Sequence, residues 1–213
     1  MNNLEALKEK IGIFEQKINY CFKNKDNLVL ALTHSSYANE CRIKSVKFNE
    51  RLEFLGDSIL NLVVSEMLYF NNTELSEGEM TRARANSVCE LSLMHCAKSI
   101  DLGKYLQLGK GEELTGGRNR ASILSDAFEA LIGAIYTDGG IESARKFIGK
   151  HMGKLLQDSI NGVIFMDYKT QFQEIVQKNS DNKIVYEILD ERGPDHNKVF
   201  IAQVKVSEKV MGK

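Results

Sequence analysis

Apolar residues recur every three to four positions through most of this chain: Leu4, Leu7, Ile11 and Phe14, then Leu28 and Leu32, and later Leu91, Met94 and Ala97. That interval is the one-face repeat of an amphipathic helix, and it persists to about residue 160. The first domain is therefore predicted to be all-α. Its breaks are also legible. Asn71-Asn72-Thr73 stops a long apolar helix after Phe70, and Ser76 with Glu79 three residues on has the capping-box pattern that opens another. Gly109 to Gly117 reads as a glycine-rich, charged loop, and Asp138-Gly139-Gly140 ends a further helix.

From about residue 157 the texture changes. One amphipathic helix is predicted over 168–178, with Phe172, Ile175 and Val176 on its apolar side. Ile184, Tyr186 and Ile188 then alternate with Val185, Glu187 and Leu189, and Val199, Ile201, Val204 and Val206 populate a second run. These predict strands over Lys183–Asp190 and Lys198–Val206, joined through Arg192 to Asn197, with a third beginning near Lys209. The expected organisation is a helical domain over 1–157, a linker over 158–165 that includes Asn161-Gly162, and a smaller α+β domain over 166–213.

The candidate chemistry lies in two acid pairs set among apolar residues. Glu53 and Asp57, four apart, precede Ile59, Leu60, Leu62, Val63 and Val64; Asp126 and Glu129, three apart, sit within Ser125-Asp126-Ala127-Phe128-Glu129-Ala130-Leu131. Either spacing puts both members of a pair on one helical face. Carboxylates on a half-buried face repel one another and lose hydration, so a cation between them is favoured. Two such pairs supply four oxygen ligands for a divalent metal, with no need of His or Cys. A lone exposed Glu or Asp more often does nothing of the kind; here it is the repetition of the pattern that singles these four out.

Glu50 to Ser58, read as ERLEFLGDS, and Ser125 to Tyr136, read as SDAFEALIGAIY, closely resemble the two signature segments of the ribonuclease III family. Leu30 to Tyr37 and Ser76 to Thr81 match other segments of that family in the same order, and residues 167–196 resemble the start of a double-stranded-RNA-binding domain. The resemblance implies an all-α nuclease domain followed by a smaller α+β domain of α-β-β-β-α type, of which the last helix is missing from this chain. It implies an endonuclease that hydrolyses double-stranded RNA by two-metal-ion catalysis with Mg²⁺, for which Mn²⁺ is a possible substitute, leaving 5′-phosphate and 3′-hydroxyl ends. Glu53, Asp57, Asp126 and Glu129 would be the metal ligands, with Asp57 and Glu129 catalytic and Glu129 the most critical. Glu50 and Glu77 would assist substrate or metal at the rim. Thr170, Gln173 and Glu174, with Pro194 and His196, would meet the minor grooves of the RNA, reading shape and 2′-hydroxyls rather than sequence. Partners would be double-stranded RNA and a second copy in a homodimer. In its bacterial form the family matures ribosomal RNA precursors and cuts structured messages. Phe54, beside Glu53, is either a cross-subunit contact or a core aromatic.

Composition changes this picture in few places. The 213 residues carry a net charge of −1, whereas nucleic-acid binders are often strongly basic; a cluster of metal-binding acids lowers the total without removing local basic patches. Residues 161–213 are balanced between Lys/Arg and Asp/Glu, and the sequence stops short of the final lysine-bearing helix, so truncation is expected. The N-terminus has no apolar signal segment, and no apolar run approaches the ~20 residues of a membrane span, so a cytoplasmic protein without a membrane partner is expected. Cys21, Cys41, Cys89 and Cys96 form no C-x-x-C pair, and His95 beside Cys96 finds no second pair to complete a zinc site. Gly103 to Gly111 fails as a phosphate loop because no Ser or Thr follows Lys110. Lys110, Arg118 and Arg120 read better as a solvated loop than as phosphate contacts, and His34 better as a hydrogen-bonded helix residue than as a proton shuttle.

Two other readings compete. A duplex-binding relative without catalysis would lack one of the four acids, and all are present. A small-molecule phosphohydrolase built on acidic helices would have no use for residues 167–206.

Overall fold

The structure, a computed structural model, describes residues 3–41, 46–162, 172, 176, 183–193, 198–207 and 209–212. The chain divides into two compact units, Met1–Phe165 and Met166–Lys213.

The first unit is helical. Its helices are α1 (Asn3–Ile18), α2 (Lys25–Ala31), α3 (Ser35–Glu40), α4 (Glu50–Asn71), α5 (Glu77–Ser87), α6 (Glu90–Ser99), the short α7 (Lys110–Leu114) and the long α8 (Ala121–Ile160). The first half of α8 is apolar on nearly every side: Ile123, Leu124, Ala127, Phe128, Ala130, Leu131, Ile132, Ala134 and Ile135 are all buried. A helix apolar on most of its sides must be largely surrounded, and α2, α4, α5 and α6 all pack on α8. Leu60, Val63, Val64 and Leu68 form the buried stripe of α4, at the spacing the sequence predicts.

The predicted stops hold. α4 ends at Asn71, and α5 begins with Ser76 accepting from the Glu79 amide while the Glu79 carboxylate accepts from that of Ser76. The break expected at Asp138-Gly139-Gly140 falls at Gly140 (φ 76°, ψ −177°), after which α8 resumes at once. That positive φ is open to glycine at little steric cost. Asp138 ties the break to the loop before α2: it accepts from the Tyr20 hydroxyl (2.8 Å) and from the backbone amides of Lys23 (2.9 Å) and Asn24 (2.8 Å). Partial burial pushes its carboxyl up, but these donors outweigh it and hold the group below the usual carboxylate range.

The glycine-rich loop departs from expectation. It folds into α7 and a single 3-10 turn at Gly117–Asn119. Glu40 of α3 reaches across to accept from the amides of Lys110 (2.8 Å) and Gly111 (3.1 Å) at the start of α7. These two donors hold the Glu40 carboxyl below its ordinary range. Arg118 donates to the carbonyls of Gly103 (2.9 Å) and Leu106 (2.7 Å) and pairs with Glu113, while Arg120 pairs with Glu112. Both arginines bond to groups of the loop and of the segment just before it.

The second unit contains an antiparallel sheet in the order β1 (Ile184–Arg192), β2 (Val199–Val206), β3 (Lys209–Gly212). The alternation read from the sequence is interrupted by a bulge between Ile188 and Asp190, which lengthens β1 beyond its predicted end. The helix predicted over 168–178 lies outside the described residues apart from Phe172 and Val176. No helix among the described residues is long and apolar enough to cross a membrane. The four cysteines are free thiols.

Candidate active site

The two acid pairs come from α4 and α8, and what brings these helices together is a pair of glycines. Gly56 lies between Glu53 and Asp57, and Gly133 follows Glu129 by one turn; both are buried. A Cβ on Gly56 would stand 1.8 Å from the Glu129 carbonyl oxygen, and one on Gly133 would stand 2.2 Å from that of Leu52. The two backbones therefore touch, and the acid-bearing turns face one another across the crossing. Glycine in a helix interior is less favourable than alanine by about 0.8–1.0 kcal/mol, and here that disadvantage is the condition for the contact. The sequence carried the signal, a glycine inside each acid-bearing apolar helix, but not which backbone each would meet.

Glu53, Asp126 and Glu129 each place a carboxylate oxygen within 4.8 Å of the others, and all three are half-buried. Asp57 stands apart from this group, exposed on the next turn of α4, with its Oδ1 accepting from the Asn61 side-chain amide at 2.7 Å. Burial pushes the Glu129 carboxyl up to about 8, and the carboxylates of Asp57, Glu53 and Asp126 push in the same direction. Glu53 is raised by burial and then by Asp126, Glu50 and Asp57. Asp126 is raised by burial, an effect that its hydrogen bond from Ser125 opposes; Glu90 adds a smaller push upward and His34 a pull downward. Among the described residues, the charges acting on Glu129 are thus other acids. Such a cluster is a poor structural device and a good cation site: hard oxygen donors, in the small number that Mg²⁺ takes from a protein while keeping several waters.

The remaining candidates are placed less centrally. Glu50 opens α4, exposed, and touches the site only through its charge on Glu53. Glu77 opens α5, accepts from Thr81 Oγ1 at 2.9 Å, and lines an open cleft of about 400 Å³ with Ser65, Tyr69, Phe70 and Arg84. His34 is the N-cap of α3, its Nδ1 accepting from the Ser36 amide, which is the hydrogen-bonded role expected of it. Thr170, Gln173, Glu174, Pro194 and His196 lie outside the described residues. Phe54 is 78% exposed, which excludes the core-aromatic alternative.

Comparison with known proteins places the chain in a family. Residues 24–156 match the family model described as ribonuclease-III-like, and residues 168–213 match that of the double-stranded RNA binding motif. The chain is 53% identical to Ribonuclease 3 of Caldanaerobacter subterraneus subsp. tengcongensis over 93% of its length and 86% of the relative's, and 48% identical to Ribonuclease 3 of Clostridium tetani over 100% and 88%. A crystal structure of the nuclease domain of ribonuclease III from Campylobacter jejuni matches with a TM-score of 0.60 at 41% identity, covering 73% of this chain and 97% of that one. Another structure of that domain, described for flexibility in a region involved in dimer formation, matches at 0.61 and 42%, covering 66% and 94%.

A helical unit with converging carboxylates, joined to an RNA-binding motif, defines an endoribonuclease. The chain belongs to the ribonuclease III family. The family is metal-dependent, and the acidic cluster of Glu53, Asp126 and Glu129 is able to hold a metal ion.

Proposed function

We propose that this chain hydrolyses double-stranded RNA with Mg²⁺ as its working cofactor and Mn²⁺ as a substitute, by two-metal-ion catalysis. The observation that carries the reading is the gathering of three half-buried carboxylates within 4.8 Å, with Asp57, Glu53 and Asp126 the charges that act on Glu129 among the described residues. Bound divalent ions would supply Lewis-acid charge to the phosphate and to its attacking and leaving oxygens. Glu53, Asp126 and Glu129 would hold that charge at the α4–α8 crossing, and Asp57 would complete the set from the exposed turn. Burial and the neighbouring acids raise the Glu129 carboxyl to about 8 without a cation, and positive charge beside it would favour its ionised form. Water would add to phosphorus as the bond to the 3′ oxygen breaks, the water losing a proton and the leaving 3′ oxygen gaining one, so that the products carry a 5′-phosphate and a 3′-hydroxyl. Glu50 and Glu77 would act at the rim. Thr170, Gln173, Glu174, Pro194 and His196 would contact the duplex from the second unit. Maturation of ribosomal RNA precursors and cutting of structured messages, in the cytoplasm, is the work such an activity suits.

The test uses a long RNA duplex incubated with the full chain. Cleavage should stop with chelator, return with Mg²⁺ or Mn²⁺, and yield ends that a 5′-phosphate-dependent exonuclease degrades. Cleavage in chelator, or 5′-hydroxyl ends, would overturn the reading.

The enzyme should act as a homodimer. Phe54, Leu62 and Tyr69 lie along one stripe of α4 and are 78%, 49% and 66% exposed. A large apolar stripe left open on a folded unit marks an interaction surface. Phe54→Asp should shift the sedimenting species from dimer to monomer. A wild type that is already a monomer at micromolar concentration would refute the dimer.

A further inference from the structure

Asp57 is the one member of the predicted ligand set that the gathered carboxylates leave out, and something specific holds it. Asn61, one turn further along α4, donates from its side-chain amide to Asp57 Oδ1 at 2.7 Å and to the Asp57 backbone carbonyl at 3.0 Å. Both partners are oxygens, which fixes the amide end of Asn61 as the donor. One bond ties that amide to the helix backbone, so the other favours one side-chain angle of an exposed aspartate that would otherwise sample several rotamers. Asn is a poor helix former, and here it occupies the interior of a long helix.

We propose that Asn61 is a positioning residue for Asp57: it clamps Oδ1 and leaves Oδ2 free to serve the acidic cluster. The inference rests on the metal-site reading above. The choice of donor is chemically apt. A neutral amide orients a carboxylate without neutralising it, whereas a lysine at this position would compete with the cation the cluster is built to attract. Asp57 lies one turn from Glu53 on the same helix, so its carboxylate borders the three that gather although it stands outside them.

The test is a titration of the full chain with Mn²⁺ alone, with free Mn²⁺ counted by electron paramagnetic resonance. Asn61→Leu and Asn61→Ala should each weaken Mn²⁺ binding by about tenfold, the size of effect expected when a group that orients a ligand is lost. The Mg²⁺ concentration for half-maximal cleavage should rise in parallel while the KM for duplex RNA stays the same. Asn61→Gln, which still reaches an acid one turn away, should restore most of the affinity. In an Asp57→Ala background, Asn61→Leu should change nothing further. A merely structural role would lower the melting temperature of the variants and leave Mn²⁺ affinity unmoved, and that result would overturn the proposal. So would an undiminished effect of Asn61→Leu in the Asp57→Ala background. A wild type that binds no Mn²⁺ and cuts without divalent ions would instead bring down the metal reading itself, and this inference with it.

Discussion

Glu129→Gln is expected to lower the cleavage rate of duplex RNA by roughly a thousandfold or more, about 4 kcal/mol of transition-state stabilisation, while duplex retention at low salt is preserved. Glutamine keeps the shape and removes a charge that would help hold the cation. The same variant should make the metal-free protein more stable, and the pH dependence of that gain is the sharper test. Burial and three neighbouring acids raise the Glu129 carboxyl from its ordinary 4.5 to about 8. Between those values the folded protein holds a proton that the unfolded chain has lost, so folding stability falls as pH rises. Below the lower value both states are protonated and this contribution is fully retained; above the upper value it is fully lost. Melting temperatures of wild type and Glu129→Gln in chelator should therefore agree near pH 4, diverge in favour of the variant through pH 5 to 8, and run parallel beyond. Saturating Mg²⁺ should raise the wild type more than the variant, since only the wild type gains its full ligand set. A difference that stays constant from pH 4 to 9 would mean that Glu129 is an ordinary surface acid.

The helical unit was legible because its determinants are local. The spacing of Leu60, Val63, Val64 and Leu68, the box of Ser76 and Glu79, and the stop at Asn71 are each set within one or two turns. The acid pairs were legible for the same reason, since spacings of three and four fix a helical face. What the sequence withheld depends on residues far apart in the chain. Glu40 receives the amides of Lys110 and Gly111 from 70 and 71 positions away, so a stretch that reads as loop becomes a capped helix. The exclusion of Asp57 from the carboxylate group depends on how α4 is turned against α8, which the spacing of the acids does not contain. The bulge at Ile188 likewise depends on the register of β1 against β2. The glycines were a partial exception: Gly56 and Gly133 are improbable inside apolar helices unless another backbone comes close, and their presence beside the acids was the available hint of where the site forms.

That hint yields the second large effect. Gly56→Ala should lose at least about a hundredfold in cleavage and melt roughly 4–8 °C lower, even though alanine is the better helix former. On an isolated helix the change would add up to about 1 kcal/mol of stability. Here the new methyl carbon would stand 1.8 Å from the Glu129 carbonyl oxygen and 2.6 Å from its carbonyl carbon, where contacts below 3.0 Å are not tolerated and neither atom can swing aside. The helices must separate by more than an ångström at the very turn that presents Glu129. Overpacking of this kind costs about 1–3 kcal/mol or more, and a net loss of about 2 kcal/mol gives the stated shift for a unit of this size. The activity loss follows from geometry rather than unfolding, since a displacement of about 1 Å among catalytic groups is enough for a hundredfold effect. Gly149→Ala is the internal control: it lies in α8 with nothing within 4 Å of its added carbon, so it should show the helix-propensity gain alone. Circular-dichroism melts and single-turnover cleavage of the three proteins decide the matter. If Gly56→Ala melts above wild type and cuts as fast, as its control should, the two helices do not touch at these glycines and the carboxylates must be gathered in some other way.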